Sequence, residues 1–590
     1  MSSLTFPPIA VIADAHFHDL YGDYDFDGID VGGRKMTARR LTDTVRSTRV
    51  FNESYYALSG ALDDVVTRGI KYVVLLGDYS DDGQIATLGA LRRLLDSYNR
   101  DHGLIFIATP GNHDIFGPDG KHHAKRLLNP DGTYTIVASD DEFVDDDADG
   151  MVVTNKMYGS GYPAGLQALP DIGFFRRPSD LHWETPFGGH DDPAKRLYSV
   201  CSDDGLNHYR LMDASYLIEP VSGLWLLMID ANVFEPRNGV FAEGDAGAFV
   251  DSTNAGWNAM LKHKRFVLDW AKDVAGRARR DGKQLLTFSH YPLLDMLNGT
   301  AEDERSLMGE TISTKRTPTD EVASAAIDAG MGIHFSGHLH VNDTALVQHG
   351  KGYLVNIGVP SLVAFPPAFK VVTLDKADLK VETVSIDHLP IDQAINRQYR
   401  IEINVTGKKT GHMLDATDYG DFLSEHVDQL VVHRYLRREW PKDMARTMPL
   451  LNLGDLYVLS QCEQPFPVED TVALVRAERA RKTSGDDNKN AIGQLDSIPV
   501  LGLLGDWYRL RMGSEMALDR ISPDRLAAYR LLIEIYRRSS ALEIGGAQEK
   551  FARLLRMMDR YLSGLPSHNF TVDLLSGVIA PVDRKPSMRL

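Results

Sequence analysis

Five short blocks of the chain combine carboxylate, amide and imidazole side chains, and nearly every block follows a short apolar run. The blocks are Asp14-Ala15-His16, Gly77-Asp78-Tyr79-Ser80-Asp81, Gly111-Asn112-His113-Asp114, Ser289-His290-Tyr291-Pro292 and Gly337-His338-Leu339-His340. Nitrogen and oxygen ligands in this mixture suit zinc, iron or manganese better than calcium or magnesium. Four imidazoles, two carboxylates and one amide in these blocks are candidate ligands. One ion cannot bind all seven, so the blocks predict two ions that share one carboxylate. Two ions about 3.5–4 Å apart bind phosphate oxygens and acidify water, which is the chemistry of phosphate-ester hydrolysis.

The elements that position these blocks are predicted from hydrophobic periodicity. Short apolar runs read as strands and longer amphipathic stretches read as helices, which indicates an α/β or α+β fold. The strand-like runs are 9–13, 72–76, 104–108, 224–229, 284–288 and 332–335, and the helical patterns are 38–67, 85–98, 257–279 and 319–329. Side chains at the carboxyl ends of such strands converge on one crevice. Three further strands, at 350–359, 368–375 and 379–387, are expected to close a second sheet or its edge.

The chain changes character twice along its length. Residues 115–220 are rich in Gly, Pro and Asp and too long for a connection, so they predict an insertion that forms a cap near the site. Beyond about 395 the pattern is mainly helical, with Ser522-Pro523-Asp524 as a helix start and a polar loop at 484–490. We therefore expect a catalytic domain over 1–390 and a mainly helical C-terminal domain over 391–590.

Composition limits the classes of partner. The 590 residues include 64 Lys+Arg and 82 Asp+Glu, for a net charge of -18, which argues against nucleic acid and anionic membranes. A small phosphorylated substrate remains compatible because bound cations reverse the local field. The N-terminus reads as a first strand rather than a signal peptide, and two distant cysteines suit a reducing compartment. A cytoplasmic location is therefore expected, while protein partners and oligomeric state stay open.

The order of the five blocks resembles the calcineurin-like metallophosphoesterase superfamily, whose pattern is D-x-H, G-D-x-x-D, G-N-H-D/E, H, then G-H-x-H. The blocks span residues 14–340. The resemblance implies a two-sheet sandwich flanked by helices. It also implies hydrolysis of a phosphoric ester by a hydroxide that bridges two divalent or trivalent transition-metal ions, namely Mn, Fe or Zn.

The resemblance further implies a role for each residue. The first metal would be held by Asp14, His16 and His340. The second would be held by Asn112, His290 and His338, with Asp78 bridging both. His113 would stabilise the developing charge or protonate the leaving oxygen, and Asp81 would orient it. Asp114 is the alternative partner of His113, although a loop or N-cap carboxylate is the plainer interpretation.

Two departures narrow the branch of the superfamily. Asp82 stands where phosphoprotein phosphatases carry an arginine, and Tyr79 lies too close to Asp78 to match the tyrosine ligand of purple acid phosphatases. The rest looks like the cyclic-nucleotide phosphodiesterase and nucleotide-phosphoesterase branches. We therefore expect a small phosphodiester or nucleotide as substrate. The alternatives are a phosphomonoesterase, including a protein phosphatase, or an inactive member that serves as a binding scaffold.

Substrate-binding residues are less clearly indicated. Arg34, with Lys35, follows the first block and would replace the missing phosphate-binding arginine; the alternative is a surface position. In the insertion, Phe174-Phe175-Arg176-Arg177 and His182-Trp183 would either stack on a base or form a small satellite core.

Overall fold

The first of two large sheets contains the amino-terminal strand of the chain. The computed structural model describes residues 6–242, 244–375, 377–482 and 494–582, so the predicted loop at 484–490 lies outside the described residues. Three strands of this sheet run parallel, and four antiparallel strands extend it. Their order is Ile579–Pro581, Asn569–Asp573, Asp378–Ser385, Ala368–Asp375, Ile9–Ile12, Tyr72–Leu76 and Ile105–Thr109.

The second sheet also has seven strands and a parallel centre. Its order is His182–Glu184, Tyr216–Val221, Leu224–Ile229, Gln284–Ser289, Ile333–Ser336, Gly352–Gly358 and Thr344–His349. Alternate residues of Leu224–Ile229 belong to two different hydrophobic clusters, because successive side chains of a strand point to opposite faces. Leu226 packs in the cluster shared with the first sheet, whereas Leu227 packs under the outer helices. The two sheets thus form the expected sandwich.

Helices cover both sheets. Val267 and Ala271 from the apolar face of one outer helix pack on the second sheet. The helices of the first 340 residues with eight or more residues are Ser54–Thr67, Ile85–His102, Gly256–His263, Arg265–Asp281, Ala301–Met308 and Asp320–Asp328. Among the residues that the structure describes, no helix is both long and apolar enough to cross a bilayer.

The chain beyond residue 390 is mainly helical, as expected. Ser522 accepts a hydrogen bond from the Arg525 N–H and so caps the helix that begins at Pro523, which confirms the predicted start. The α-helices with six or more residues are Gln393–Thr406, Tyr419–Leu430, Lys442–Thr447, Leu453–Ser460, Thr471–Lys482, Val500–Gly513, Pro523–Arg538 and Gly546–Leu562. A π-helical turn at Val431–Tyr435 and a short helix at Leu436–Arg438 follow the second of these.

Sheet pairing crosses the expected domain boundaries. The strands Asn569–Asp573 and Ile579–Pro581 extend the first sheet, so the described end of the chain returns to the catalytic sandwich. Of the three strands expected to close a second sheet or its edge, Gly352–Gly358 lies in the second sheet, whereas Ala368–Asp375 and Asp378–Ser385 extend the first. Whether the helices fold as a separate domain stays a prediction.

The predicted insertion contains small sheets as well as strands of the sandwich. Ala124–Leu128, Tyr134–Ala138 and Gly150–Val153 form a three-stranded sheet, and Leu197–Cys201 pairs with His208–Met212 as a hairpin. The sandwich strands His182–Glu184 and Tyr216–Val221 also fall within or across the 115–220 limits. The inserted segment therefore continues into the edge of the second sheet.

Candidate active site

All five blocks lie at the carboxyl ends of strands, and they meet at one end of the sandwich. Both sheets contribute, because Asp14, Asp78 and Asn112 follow strands of the first sheet, whereas His290 and His338 follow strands of the second. Five of the seven predicted ligands have a positive φ between 41° and 69°, namely Asp14, His16, Asp78, His338 and His340. Backbone of this kind is strained for residues other than glycine and concentrates at functional sites.

The first group of ligands surrounds His16. Its Nε2 lies 3.2 Å from His340 Nε2 and 3.7 Å from Asp78 Oδ2. Asp14 Oδ1 lies 3.4 Å from His340 Nε2. Asp14, His16 and His340 are buried, and their ligand atoms all lie within 4.8 Å of one another. Two imidazole nitrogens and a carboxylate that converge so closely form the geometry of a cation site.

The second group surrounds His290. Its Nε2 lies 3.2 Å from Asp78 Oδ2 and 3.3 Å from His338 Nδ1. Asp78, His290 and His338 are all buried and form a second set whose ligand atoms lie within 4.8 Å of one another. Asp78 Oδ2 therefore faces both groups.

Hydrogen bonds orient the second group toward a common point. His290 Nδ1 donates to the Leu76 carbonyl at 2.9 Å, which turns Nε2 toward Asp78 and His338. His338 Nε2 donates to the Thr253 carbonyl at 3.0 Å, which turns Nδ1 toward His290. Asn112 Nδ2 donates to Thr253 Oγ1 at 3.2 Å, while Asn112 Oδ1 is buried without a hydrogen-bond partner in the described parts of the chain. A buried amide oxygen without a partner is costly, so these side chains fit a metal ion.

The electrostatics of the site also favour a bound cation. Burial lowers the pKa of His16 and of His338 well below the usual range, which keeps these rings in the neutral form that binds metal. His290 behaves differently. Burial opposes its protonation, but the carboxylates of Asp78 and Asp14 outweigh burial and raise the pKa of His290 to about 9. The carboxylates thus create a concentrated negative field that a metal ion would neutralise.

His113 is oriented by Asp82, so the prediction that Asp81 orients it is wrong. His113 Nδ1 is hydrogen-bonded to Asp82 Oδ1. Asp82 has a φ of 73°, which turns the chain back toward the histidine. The N–H of Asp81 instead donates to the Phe17 carbonyl at 3.0 Å, and its side chain points into the interior. One residue along a strained loop therefore decides which carboxylate reaches the imidazole.

Asp81 lies in a buried cluster of cations. Its Oδ2 lies 2.5 Å from Lys125 Nζ and 2.9 Å from Arg39 Nη1, and its Oδ1 lies 3.0 Å from Arg49 Nη2. Asp114 also has a structural role, because Oδ1 accepts from the Ser80 N–H and Oδ2 from the Gly111 N–H. The plainer interpretation of Asp114, a loop carboxylate, is the one that the structure shows.

Two residues that the sequence did not indicate flank the His113–Asp82 pair. His123 Nε2 lies 2.9 Å from Asp82 Oδ2, so Asp82 stands between two imidazoles. Burial alone would raise the pKa of Asp82, but His123 and His113 outweigh it and hold that pKa well below its usual range. Arg49 Nη1 lies 3.5 Å from His113 Nε2. No motif spacing marks His123 or Arg49, since both come from irregular segments whose position depends on the whole fold.

A cleft of about 410 Å³ opens above the two groups of ligands. Arg34 does not line it, so the prediction that it binds the substrate is wrong. It lies in a hairpin of Ile29–Val31 with Arg34–Met36, and its guanidinium carbon stacks 3.7 Å from the centre of the Tyr21 ring. The insertion residues predicted to stack on a base are absent from the cleft as well, because Phe174 and Trp183 are buried in the large core. They form packing contacts rather than a base-stacking surface.

The end of the sandwich thus brings together His/Asp groups that could hold metal ions, and Asp78 belongs to two of them. Residues 7–209 match the model of the calcineurin-like phosphoesterase family, and the resemblance that the five blocks indicate is thereby confirmed. The blocks around His290 and His338 lie beyond the matched residues and join the site through the fold. No sequence among the curated proteins matches this chain.

Among solved structures, a dimetal phosphatase from Danio rerio is 15% identical to this chain. The alignment covers 65% of this chain and 97% of that chain, with a TM-score of 0.35. At this level of similarity, the description of the site depends only on the contacts within this chain.

Proposed function

We propose that this chain hydrolyses a small phosphodiester or nucleotide ester with the aid of two transition-metal ions. The observation that carries the proposal is the position of Asp78. Its Oδ2 lies 3.7 Å from His16 Nε2 and 3.2 Å from His290 Nε2, which supports one carboxylate oxygen facing both groups of ligands. Manganese, iron and zinc suit this set of imidazole, carboxylate and amide donors.

The metal ligands would divide into two sets. Asp14, His16 and His340 would hold one ion, and the other would be held by Asn112, His290 and His338, with Asp78 common to both. When bound, the ions would polarise the phosphate oxygens and lower the pKa of a water molecule toward ~7.

The chain itself would position the substrate and move a proton. Because Asp82 accepts from Nδ1 of His113, Nε2 is the nitrogen left to face a substrate. Protonated His113 would donate from Nε2 to the leaving oxygen as the phosphorus–oxygen bond breaks. Arg49, next to this nitrogen, would bind a phosphate oxygen. It would thus take the role of the arginine that phosphoprotein phosphatases carry at the position of Asp82.

The first experiment measures metal content and substrate preference together. Full-length protein expressed with manganese, iron or zinc is expected to retain two transition-metal ions per chain by elemental analysis. It is expected to cleave bis-p-nitrophenyl phosphate faster than p-nitrophenyl phosphate. The reverse preference would instead support a phosphomonoesterase. Absence of bound metal and of turnover under all three conditions would contradict the proposal and support the interpretation as a binding scaffold.

The role of His113 has its own test. His113→Ala is expected to keep both metal ions and to lose about 10²- to 10⁴-fold in kcat, the range for a general acid. His122→Ala is the matched control, because His122 is an exposed histidine of the neighbouring segment, hydrogen-bonded to Ser139. A His113→Ala protein as active as the parent would refute the assignment.

A further inference from the structure

The wall of the cleft is rich in arginine although the chain is acidic overall. Five arginines and three carboxylates line the cleft, in a chain whose net charge is -18. The arginines are Arg46, Arg49, Arg316, Arg434 and Arg511. They come from a loop near residue 48, from the end of a short helix and from the C-terminal helical region. A concave surface with one dominant sign of charge attracts ligands of the opposite sign.

Two of these arginines are already neutralised by protein carboxylates. Arg511 Nη2 donates to both oxygens of Glu304, at 3.0 and 2.9 Å. Arg49 pairs with Asp81 at 3.0 Å and approaches Asp82 at 3.4 Å. Glu304 therefore compensates Arg511, and Arg49 is the arginine already proposed to bind the scissile phosphate.

Arg316 and Arg434 have only neutral partners. Arg316 Nε donates to Asn254 Oδ1 at 3.1 Å, and Arg434 Nη1 donates to the Arg46 carbonyl at 2.9 Å. Within the described residues, neither guanidinium has a carboxylate oxygen within 4.0 Å. Arg434 Nε is also buried there without a hydrogen-bond partner.

Arg316 and Arg434 carry like charges in one cleft, and the carboxylates Asp251, Asp78 and Glu439 act on them only from beyond salt-bridge distance. Burial lowers the pKa of Arg316, and the charge of Arg434 lowers it further, although Tyr291, Asp251 and Asp78 act in the opposite direction. Arg434 lies in the π-helical turn Val431–Tyr435, a backbone form that is rare and often occurs at functional sites. An anion between the two guanidiniums would offset their like charges.

Building on the proposed function, we propose that Arg316 and Arg434 bind a second, non-scissile phosphate group of the substrate. The scissile phosphate lies at the metal ligands, and the second phosphate lies at this arginine pair in the same cleft. Each guanidinium offers a planar fork of N–H donors that matches the oxygens of a phosphate group. A cleft of about 410 Å³ has the size of a small-molecule pocket. The substrate class is thus a small phosphoester that carries at least two phosphate groups.

Binding of flexible bisphosphates tests this site even though the natural substrate is unidentified. Calorimetry on the metal-replete full chain measures Kd for alkanediol bisphosphates of increasing length and for the matching monophosphates. At least one bisphosphate is expected to bind roughly tenfold more tightly than its monophosphate, which corresponds to about 1.4 kcal/mol. If no bisphosphate exceeds its monophosphate at any length, the second phosphate site does not exist.

Variants identify the residues responsible. Arg316→Gln and Arg434→Gln are each expected to remove most of the advantage of the bisphosphate. Arg437→Gln, an exposed change one turn beyond Arg434, is expected to keep it. Melting temperatures show whether each variant folds like the parent. An advantage that survives the double variant would overturn the assignment.

Failure of this inference and failure of the proposed function give different results. Hydrolysis of bis-p-nitrophenyl phosphate reports the metal-dependent reaction, whereas calorimetry reports the second phosphate site. Hydrolysis without any preference for bisphosphates contradicts only the inference. Tight bisphosphate binding that depends on the arginine pair, but without hydrolysis, contradicts only the proposed reaction.

Discussion

The cleft has a floor, formed by the predicted metal ligands, and a wall, formed by the five arginines. The chain builds these two regions differently. The floor consists of ligands on short loops at the ends of parallel strands, where the backbone is strained and the loops bond to one another. The Asp14 N–H donates to the Gly77 carbonyl at 3.1 Å, and the Gly337 N–H donates to the His290 carbonyl at 2.9 Å. These bonds connect loops within each sheet. Such a floor keeps its geometry as long as the sandwich is folded.

The wall depends on contacts between distant parts of the chain. Its arginines lie on a loop near the amino terminus, at the end of the short helix Ile312–Lys315 and on C-terminal helices. His426 Nε2 bonds to the Thr44 carbonyl at 2.9 Å, and Arg434 bonds to the Arg46 carbonyl, so the C-terminal helices also hold the first arginine loop. If the proposed function is correct, the floor would determine the reaction and the wall would determine which phosphate ester reaches it.

The largest effect is expected from a change in the floor. Asp78→Ala removes the carboxylate that faces both groups of ligands, so metal should be lost and kcat/KM should fall by about 10⁴-fold or more. Elemental analysis and turnover of bis-p-nitrophenyl phosphate measure both losses. Full metal content in Asp78→Ala would show that Asp78 is not shared between two ions.

Two neighbouring carboxylates are expected to have different roles, Asp82 in catalysis and Asp81 in stability. Asp82→Asn should lower kcat by ~10²-fold, because His113 loses the partner that orients it, while the fold stays intact. Asp81→Asn should instead leave buried Lys125 without a full counter-charge and destabilise the protein by about 3–5 kcal/mol. Denaturant unfolding and kcat of the folded fraction distinguish the two. A larger loss of kcat in Asp81→Asn than in Asp82→Asn would mean that Asp81, and not Asp82, supports His113.

The floor could be predicted from the sequence because its residues are tied to local patterns. Each ligand lies within a few residues of an apolar strand, and strand ends of a mixed sheet converge by geometry. The same reasoning failed by one residue at Asp81 and Asp82, since the backbone turn at φ 73° leaves no signal in the order of two adjacent aspartates. Local patterns thus fix which loop carries the site, but not every side-chain direction within it.

The wall could not be predicted because nothing local connects its members. Arg49, Arg316 and Arg434 are separated by more than 100 residues at each step, and each sits in an ordinary polar context. Arg34 is the opposite case. Its position next to the first block suggested a phosphate contact, but the hairpin of Ile29–Val31 with Arg34–Met36 carries it onto Tyr21. Proximity in sequence was therefore a poor guide to the wall.

A change in the C-terminal region should weaken the wall and spare the floor. Glu402 accepts from the Leu41 N–H at 2.7 Å and from the Thr42 N–H at 3.2 Å, just before the loop that carries Arg46 and Arg49. Glu402→Ala leaves these buried donors unpaired, at a cost of about 1–3 kcal/mol. Metal content should remain that of the parent, whereas KM should rise. The exposed Asn404→Ala on the same helix is the control, and loss of metal in Glu402→Ala would contradict the separation of floor and wall.

The smallest expected effect on activity comes from a pH dependence of stability at a second contact between the two regions. Glu53 Oε1 accepts from the Tyr399 hydroxyl of the C-terminal region at 3.0 Å, while Oε2 is buried without a partner in the described residues. Burial raises the pKa of Glu53 to about 7. The unfolded chain releases this proton near pH 4.5, so between about 4.5 and 7 the folded state binds more protons than the unfolded state.

The sign of the effect follows from this difference in bound protons. The free energy of unfolding should fall as pH rises from about 4.5 to 7, by about 3 kcal/mol from this group. Glu53→Gln keeps the acceptor for Tyr399 but cannot ionise, so it should lose that part of the pH slope and be more stable than the parent above pH ~7. Denaturant unfolding at a series of pH values measures the slope. An unchanged slope in Glu53→Gln would mean that the Glu53 carboxyl is ionised in the folded protein over this whole pH range. The contact between the sandwich and the C-terminal helices would then add no pH dependence to stability.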